Sequence, residues 1–108
     1  MKVYIVFGTS GEYSDRTTWP IASYTDRNLA EEHVIKATEI ADEIAFLHYN
    51  LYRSSLQENR GLTEEEIQES NRISKLNLYD LEPQEWLEKH NYYYETTNLL
   101  DKLYKEEK

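Results

Sequence analysis

Lys2-Val-Tyr-Ile-Val-Phe7, closed by Gly8, is the stretch that decides the fold. After Lys2 it is wholly β-branched or aromatic, with no polar alternation, which predicts a strand buried on both faces and therefore central in its sheet. The next residues, Gly8-Thr-Ser-Gly-Glu-Tyr-Ser-Asp15, are dense in turn formers, so Thr17 to Tyr24 is expected to return as the second strand of a long-looped hairpin. Pro20 cannot donate to a ladder, which makes that second strand an edge. Further out, Asn91 to Asn98 carries β-formers in alternation and is expected to pair with the first strand. Leu99, Leu100, Leu103 and Tyr104 suit its closing end or a terminal turn.

Between the strands the period changes to that of a helix. Thr25 is read as an N-cap, with Tyr24 and Leu29 as a hydrophobic staple. Apolar residues then recur at Ala30, Val34, Ala37, Ala41 and Ile44, and no Gly or Pro interrupts residues 28 to 60, so one helix of about seven turns ends near Leu56. Gly61 acts as the stop signal. Leu62-Thr-Glu-Glu-Glu-Ile67 combines a capping box (Thr63 with Glu66) and a staple (Leu62 with Ile67), which starts a second helix that fades by Lys75 or Asn77. Pro83 suits the first position of a short third helix holding Trp86 and Leu87. The expected class is α+β: a sheet of about three strands in ββααβ order, covered by one long amphipathic helix plus one or two shorter ones. No repeat or linker divides residues 1–108, which read as a single domain.

Composition narrows the function classes. The 108 residues include no cysteine, which excludes disulfides, thiolate zinc or iron–sulfur sites and a thiol nucleophile, and fits a reducing cytoplasm. The longest apolar run falls far short of a membrane span. A net charge of −9 opposes direct binding of nucleic acid and of acidic membranes, so the expected partner is basic. The charge is uneven: residues 58–88 hold nine acids against three bases, −6 of the total. One reading is a solvated face with Glu64, Glu65 and Glu66 at the positive end of a helix dipole. The other is a row of carboxylates imitating phosphates, with Glu64, Glu65, Glu66, Glu69, Asp80, Glu82, Glu85 and Tyr79 as the partner-binding residues.

The loop after the first strand gathers Glu12, Tyr13, Asp15 and Arg16, a carboxylate pair with a phenol and a guanidinium. It has neither a phosphate-loop lysine nor a G-x-G-x-x-G spacing, so it is no nucleotide loop. A small-ligand or metal-dependent enzyme built on Glu12 and Asp15 is the alternative it leaves open. His33, His48 and His90 are too scattered for a zinc site, and no nucleophile elbow presents a serine. No metal, cofactor or catalytic residue is therefore assigned. A homodimer paired through a sheet edge or a helix stripe is a third reading.

Lys2-Val-Tyr-Ile-Val6, Ser10-Gly-Glu-Tyr-Ser-Asp15 and Tyr24-Thr-Asp-Arg27 leading into Ala30-Glu-Glu32, with Tyr93-Tyr-Glu95 as a late aromatic-acidic strand, resemble a group of small uncharacterised bacteriophage and prophage proteins. The likeness covers about residues 2–35 and 92–100, departs at Trp19-Pro20 and carries over no catalytic residue. It implies a phage-type protein acting in the host cytoplasm. By analogy with other small acidic proteins of that kind, the function expected is binding and blocking a basic host protein, such as a nuclease of a restriction or CRISPR defence complex, by mimicry of nucleic acid.

Overall fold

A computed structural model describes residues 1–85 and 88–98. The chain is α+β in ββααβ order, with β1 (Lys2–Ser10), β2 (Thr17–Tyr24), α1 (Arg27–Gln57), α2 (Glu64–Ile73) and β3 (Asn91–Asn98). The sheet is antiparallel in the order β2-β1-β3, with the apolar strand in the centre. β1 runs to Ser10, three residues past Phe7, where the strand was expected to end, so the loop shortens to 11–16 and holds a 3-10 turn at Tyr13–Asp15. Pro20 lies opposite Phe7 on the edge strand, next to a register shift between Val6 and Phe7 that accommodates the missing donor.

Only one face of β1 is covered, a correction to the expected burial on both. Val6 is fully buried on the face that also carries Tyr92 and Tyr94, and Tyr94 Oη donates to Glu31 of α1 at 3.0 Å. On the opposite face Val3, Ile5 and Phe7 stay half-buried, Phe7 stacking on Tyr93 at 5.4 Å between ring centroids. An apolar run thus marked the central strand without telling how many layers cover it.

Helix α1 is capped by Asp26, whose carboxylate accepts from Asn28 N–H at 2.8 Å, rather than by Thr25. Its buried seam is Ala30, His33, Ala37, Ala41, Ile44, His48 and Ser55. Small residues at 30, 37 and 41 let the helix lie close to the sheet, and further on the seam passes to α2. Its end is set by Asn59 at φ 51°, not by Gly61, beside which a Cβ would meet nothing within 4 Å. Ser55 Oγ closes this turn by donating to Arg60 O at 2.6 Å. In α2 the capping box forms as read: Glu66 N–H donates to Thr63 Oγ1 at 3.2 Å, and Thr63 N–H to Glu66 Oε1 at 2.9 Å. The helix ends at Ile73, short of Lys75. Pro83 to Glu85 are not helical, so α2 is the one shorter α-helix among the described residues. Trp86, Leu87 and the terminal Leu99, Leu100, Leu103 and Tyr104 lie outside those residues.

No helix among the described residues is long and apolar enough to cross a membrane. At about 46 Å, α1 is longer than the roughly 30 Å of a nine-residue strand, so its second half, with α2, projects past the sheet. The molecule measures 60 × 29 × 19 Å.

Candidate functional site: an acid-rimmed cleft over a buried aspartate

Between α2 and β3 two leucines lie outside and four polar side chains inside. Leu78 and Leu81 are 80% and 88% exposed, while Asn77, Asp80, Gln84 and His90 are buried. Burying polar side chains is costly unless their hydrogen-bonding groups find partners, and among these four only Gln84 Oε1 is buried with none among the described residues. Asp80 has four. Its Oδ1 accepts from Trp19 Nε1–H and from the Glu82 backbone N–H, both at 3.1 Å. Its Oδ2 accepts from Tyr92 Oη–H at 2.9 Å and from His90 Nδ1–H at 3.0 Å. Tyr92 Oη in turn accepts from Asn77 and Gln84 amides, each at 3.1 Å, and Asn77 also donates to Ala37 O of α1 at 3.1 Å. One carboxylate thereby ties β2, β3 and the connecting segment together, and through Tyr92 and Asn77 reaches α1. Burial opposes ionisation of Asp80, but hydrogen bonds from His90, Glu82 N–H, Tyr92 and Trp19 outweigh it and hold the carboxyl below its ordinary value. Burial, reinforced by the bond to Asp80, raises the Tyr92 phenol well above its own.

Asp80 is thus removed from the exposed acidic row in which the sequence placed it. At 3% exposure it meets no partner's surface. Charge counting carries no information on burial. The spacing Asn77-Leu-Tyr-Asp80 held a usable signal, because Asn77 Oδ1 accepts from Tyr79 N–H and Asp80 N–H donates to Asn77 O, a local turn that aims the aspartate inward.

Above this network opens a cleft of about 340 Å³ lined by Ser10, Thr17, Trp19, Glu82, Pro83, Glu85, Glu88 and His90. Trp19 is held across the bare backbone of Gly8, where a Cβ would stand 2.7 Å from the indole. His90 touches the indole edge-on at 4.7 Å. Because Nδ1–H is committed to Asp80, Nε2 is the one ring nitrogen left for an occupant of the cleft, as acceptor when neutral and donor when charged.

Glu88 is shared with a second cleft, of about 430 Å³, lined by Gly11, Glu12, Asp15, Lys89 and Asn91. The structure therefore brings together the end of the acidic segment (Glu82, Glu85) and the carboxylates of the loop (Glu12, Asp15), which the sequence treated as rival sites. Tyr13 belongs to the 3-10 turn, and Arg16 is turned back onto Thr9 Oγ1 at 3.2 Å. Lys89 is paired with Asp42 at 2.6 Å. No group of three or more His, Asp or Glu among the described residues is placed to hold a metal ion.

The remaining acids separate into occupied and open ones. Glu66 pairs with Arg60, whose hydrogen bond, helped by Thr63 N–H, holds the carboxyl at about 2. Glu69 pairs with Arg72, which likewise lowers it. Glu64 and Glu65 are exposed. Tyr79 stands apart from the cleft: its carbonyl accepts from His33 Nε2–H at 2.8 Å and its ring packs on His33.

No protein-family model, curated protein or solved structure matches this chain. Its chemistry is therefore argued from the geometry above.

Proposed function

We propose that this protein is a non-enzymatic binder of a basic protein surface, and that it receives a lysine or arginine side chain of that partner in the cleft over Trp19 and His90. The observation that carries this reading is the convergence of Glu82, Glu85 and Glu88 on one cleft with an indole in its wall. A cation in such a place gains from the carboxylates and from the indole face together, about 0.5–2 kcal/mol coming from the aromatic contact. The neighbouring Glu12 and Asp15 extend the same field across the second cleft. Glu64 and Glu65, with neutralised Glu66 and Glu69 beside them, add long-range attraction only. A host-directed blocking role of phage type, with the partner a nucleic-acid-binding nuclease or defence complex, is the biological setting this reading fits. The carboxylates would then take the place of phosphates in the partner's basic groove.

The test is a titration of the protein with an end-blocked arginine-rich peptide, followed by the Trp19 indole N–H and His90 ring resonances. Both are expected to move, and replacing Glu82, Glu85 and Glu88 together by glutamine is expected to abolish the shifts. The same three-charge change at Glu43, Glu64 and Glu95 should leave them in place. Equal binding by both triple variants, or shifts confined to α2, would overturn the assignment.

A further inference from the structure

On the side of α1 turned away from the sheet lies a second pattern that the candidate site does not use. Ile35, Phe46, Tyr49 and Leu56 are 56%, 63%, 56% and 69% exposed, unusual values for large apolar side chains on one helix. With Asp42 and Arg53 they are spaced by alternating steps of three and four once Glu39 is included, the seam spacing of an antiparallel coiled coil, and they lie opposite the buried residues Ile44, His48 and Ser55. Arg53 is exposed and makes no ion pair among the described residues.

We propose that this stripe is a homodimer interface, in which α1 pairs antiparallel with α1 of a second copy about a two-fold axis near residues 47 and 48. What selects a second copy is self-complementarity. In the register where position i meets position 95 − i, Phe46 packs beside Tyr49 of the copy, and Arg53 meets Asp42 of the copy, with each contact repeated by the two-fold. Leu56 then covers the stem of Glu39. Moving the register by one heptad places Phe46 against Asp42, or leaves Arg53 against Tyr49 with Asp42 facing Arg60, which already serves Glu58 and Glu66. Only the central register matches aromatic with aromatic and cation with anion. Asp42 keeps its contact with Lys89 on the other side, giving a chain of alternating charge. The net −9 of each copy is spread beyond the seam and is screened over about 8 Å at physiological salt. This proposal does not depend on the cleft reading, since its seam residues line neither cleft and Lys89, which lines the second, enters only as the existing partner of Asp42.

Sedimentation equilibrium of the full chain in 0.15 M salt, from about 1 μM to about 1 mM, tests it. The wild type is expected to rise from 12.9 kDa to twice that mass. Phe46→Glu and Arg53→Glu should each weaken the dimer at least tenfold while far-UV circular dichroism and the melting temperature of the diluted protein stay as in wild type. Because the register pairs 42 with 53 in both directions, adding Asp42→Arg to Arg53→Glu should restore the dimer. A monomer throughout, or a dimer indifferent to the single variants, overturns the interface. Failure of the double exchange to restore a dimer lost in Arg53→Glu overturns the register.

Discussion

Trp19 reaches Asp80 because residue 8 has no side chain. A Cβ on Gly8 would stand within 2.8 Å of three indole atoms, so Gly8→Ala must push the ring off its seat and break its bond to Asp80. The expected result is a loss of about 1–3 kcal/mol by chemical denaturation, with a shift in tryptophan fluorescence. Asp80 itself gives a prediction with a sign. Its carboxyl titrates lower in the folded chain than in the unfolded one, so the stability it contributes is complete above the unfolded value, about 3.9, and is lost as pH falls through the folded value. Denaturant midpoints of the wild type should therefore fall on acidification through that window, and the difference between wild type and Asp80→Asn should shrink as they do. A difference that grows toward low pH would reverse the sign and refute the assignment. The sequence made Asp80 visible as a charge and Trp19 as a ring, but their meeting joins residues 61 positions apart. No local pattern encodes such a pair. The buried histidines were hidden for the same reason: His33 is satisfied by Tyr24 Oη at 2.7 Å and by Tyr79 O, partners on different elements.

At the level of elements the start of α2 was legible in a single turn of chain, whereas at the start of α1 the cap is Asp26 and not Thr25. The α2 capping box spans four residues and formed as read, and Thr63→Ala should cost about 1 kcal/mol, measured by denaturant unfolding. The spans of β2 and β3 also followed from period and turn chemistry, and Pro20 marked β2 as an edge, whereas β1 continues through Gly8 to Ser10. The end of α1 was misread because glycine is the commoner left-handed residue there, whereas Asn59 adopts that conformation in this chain. Two substitutions separate the readings. Gly61→Ala meets open space and is expected to change stability by less than about 0.5 kcal/mol. Asn59→Ala puts a residue with no compensating side-chain group at φ 51° and should cost about 1 kcal/mol; the opposite order in a pair of urea titrations would mean that Gly61 ends the helix. The inverted segment 77–90 was illegible for a different reason. Leu78 and Leu81 read as buried and Asp80 as exposed, while the structure makes the opposite choice for these three, because Asn77, Asp80 and Gln84 carry the donors and acceptors that Trp19 of β2 and Tyr92 of β3 need.

For the whole molecule the question is whether −9 acts as a total or as a pattern. A diffuse negative field speeds encounter with any basic partner and fades with salt, whereas carboxylates that close around one cation control how long the complex lasts. The two kinds of acid are separated along this elongated body. Glu82, Glu85 and Glu88 converge on the cleft at the end of the sheet, and Glu64 and Glu65 begin a helix that packs on the projecting half of α1. Changing Glu82, Glu85 and Glu88 to glutamine takes the net charge from −9 to −6, and so does the change at Glu43, Glu64 and Glu95. If the total governs, both variants lose association rate equally and keep the wild-type dissociation rate. If the cleft governs, both lose a few-fold in association rate, but only the first gains at least tenfold in dissociation rate, about 1.4 kcal/mol. Stopped-flow kinetics with the arginine-rich peptide at several salt concentrations separate these outcomes. The expected result is the second, with a salt dependence shallower in both variants than in the wild type and a difference in dissociation that persists at high salt, since short-range contacts in a partly enclosed cleft are screened least.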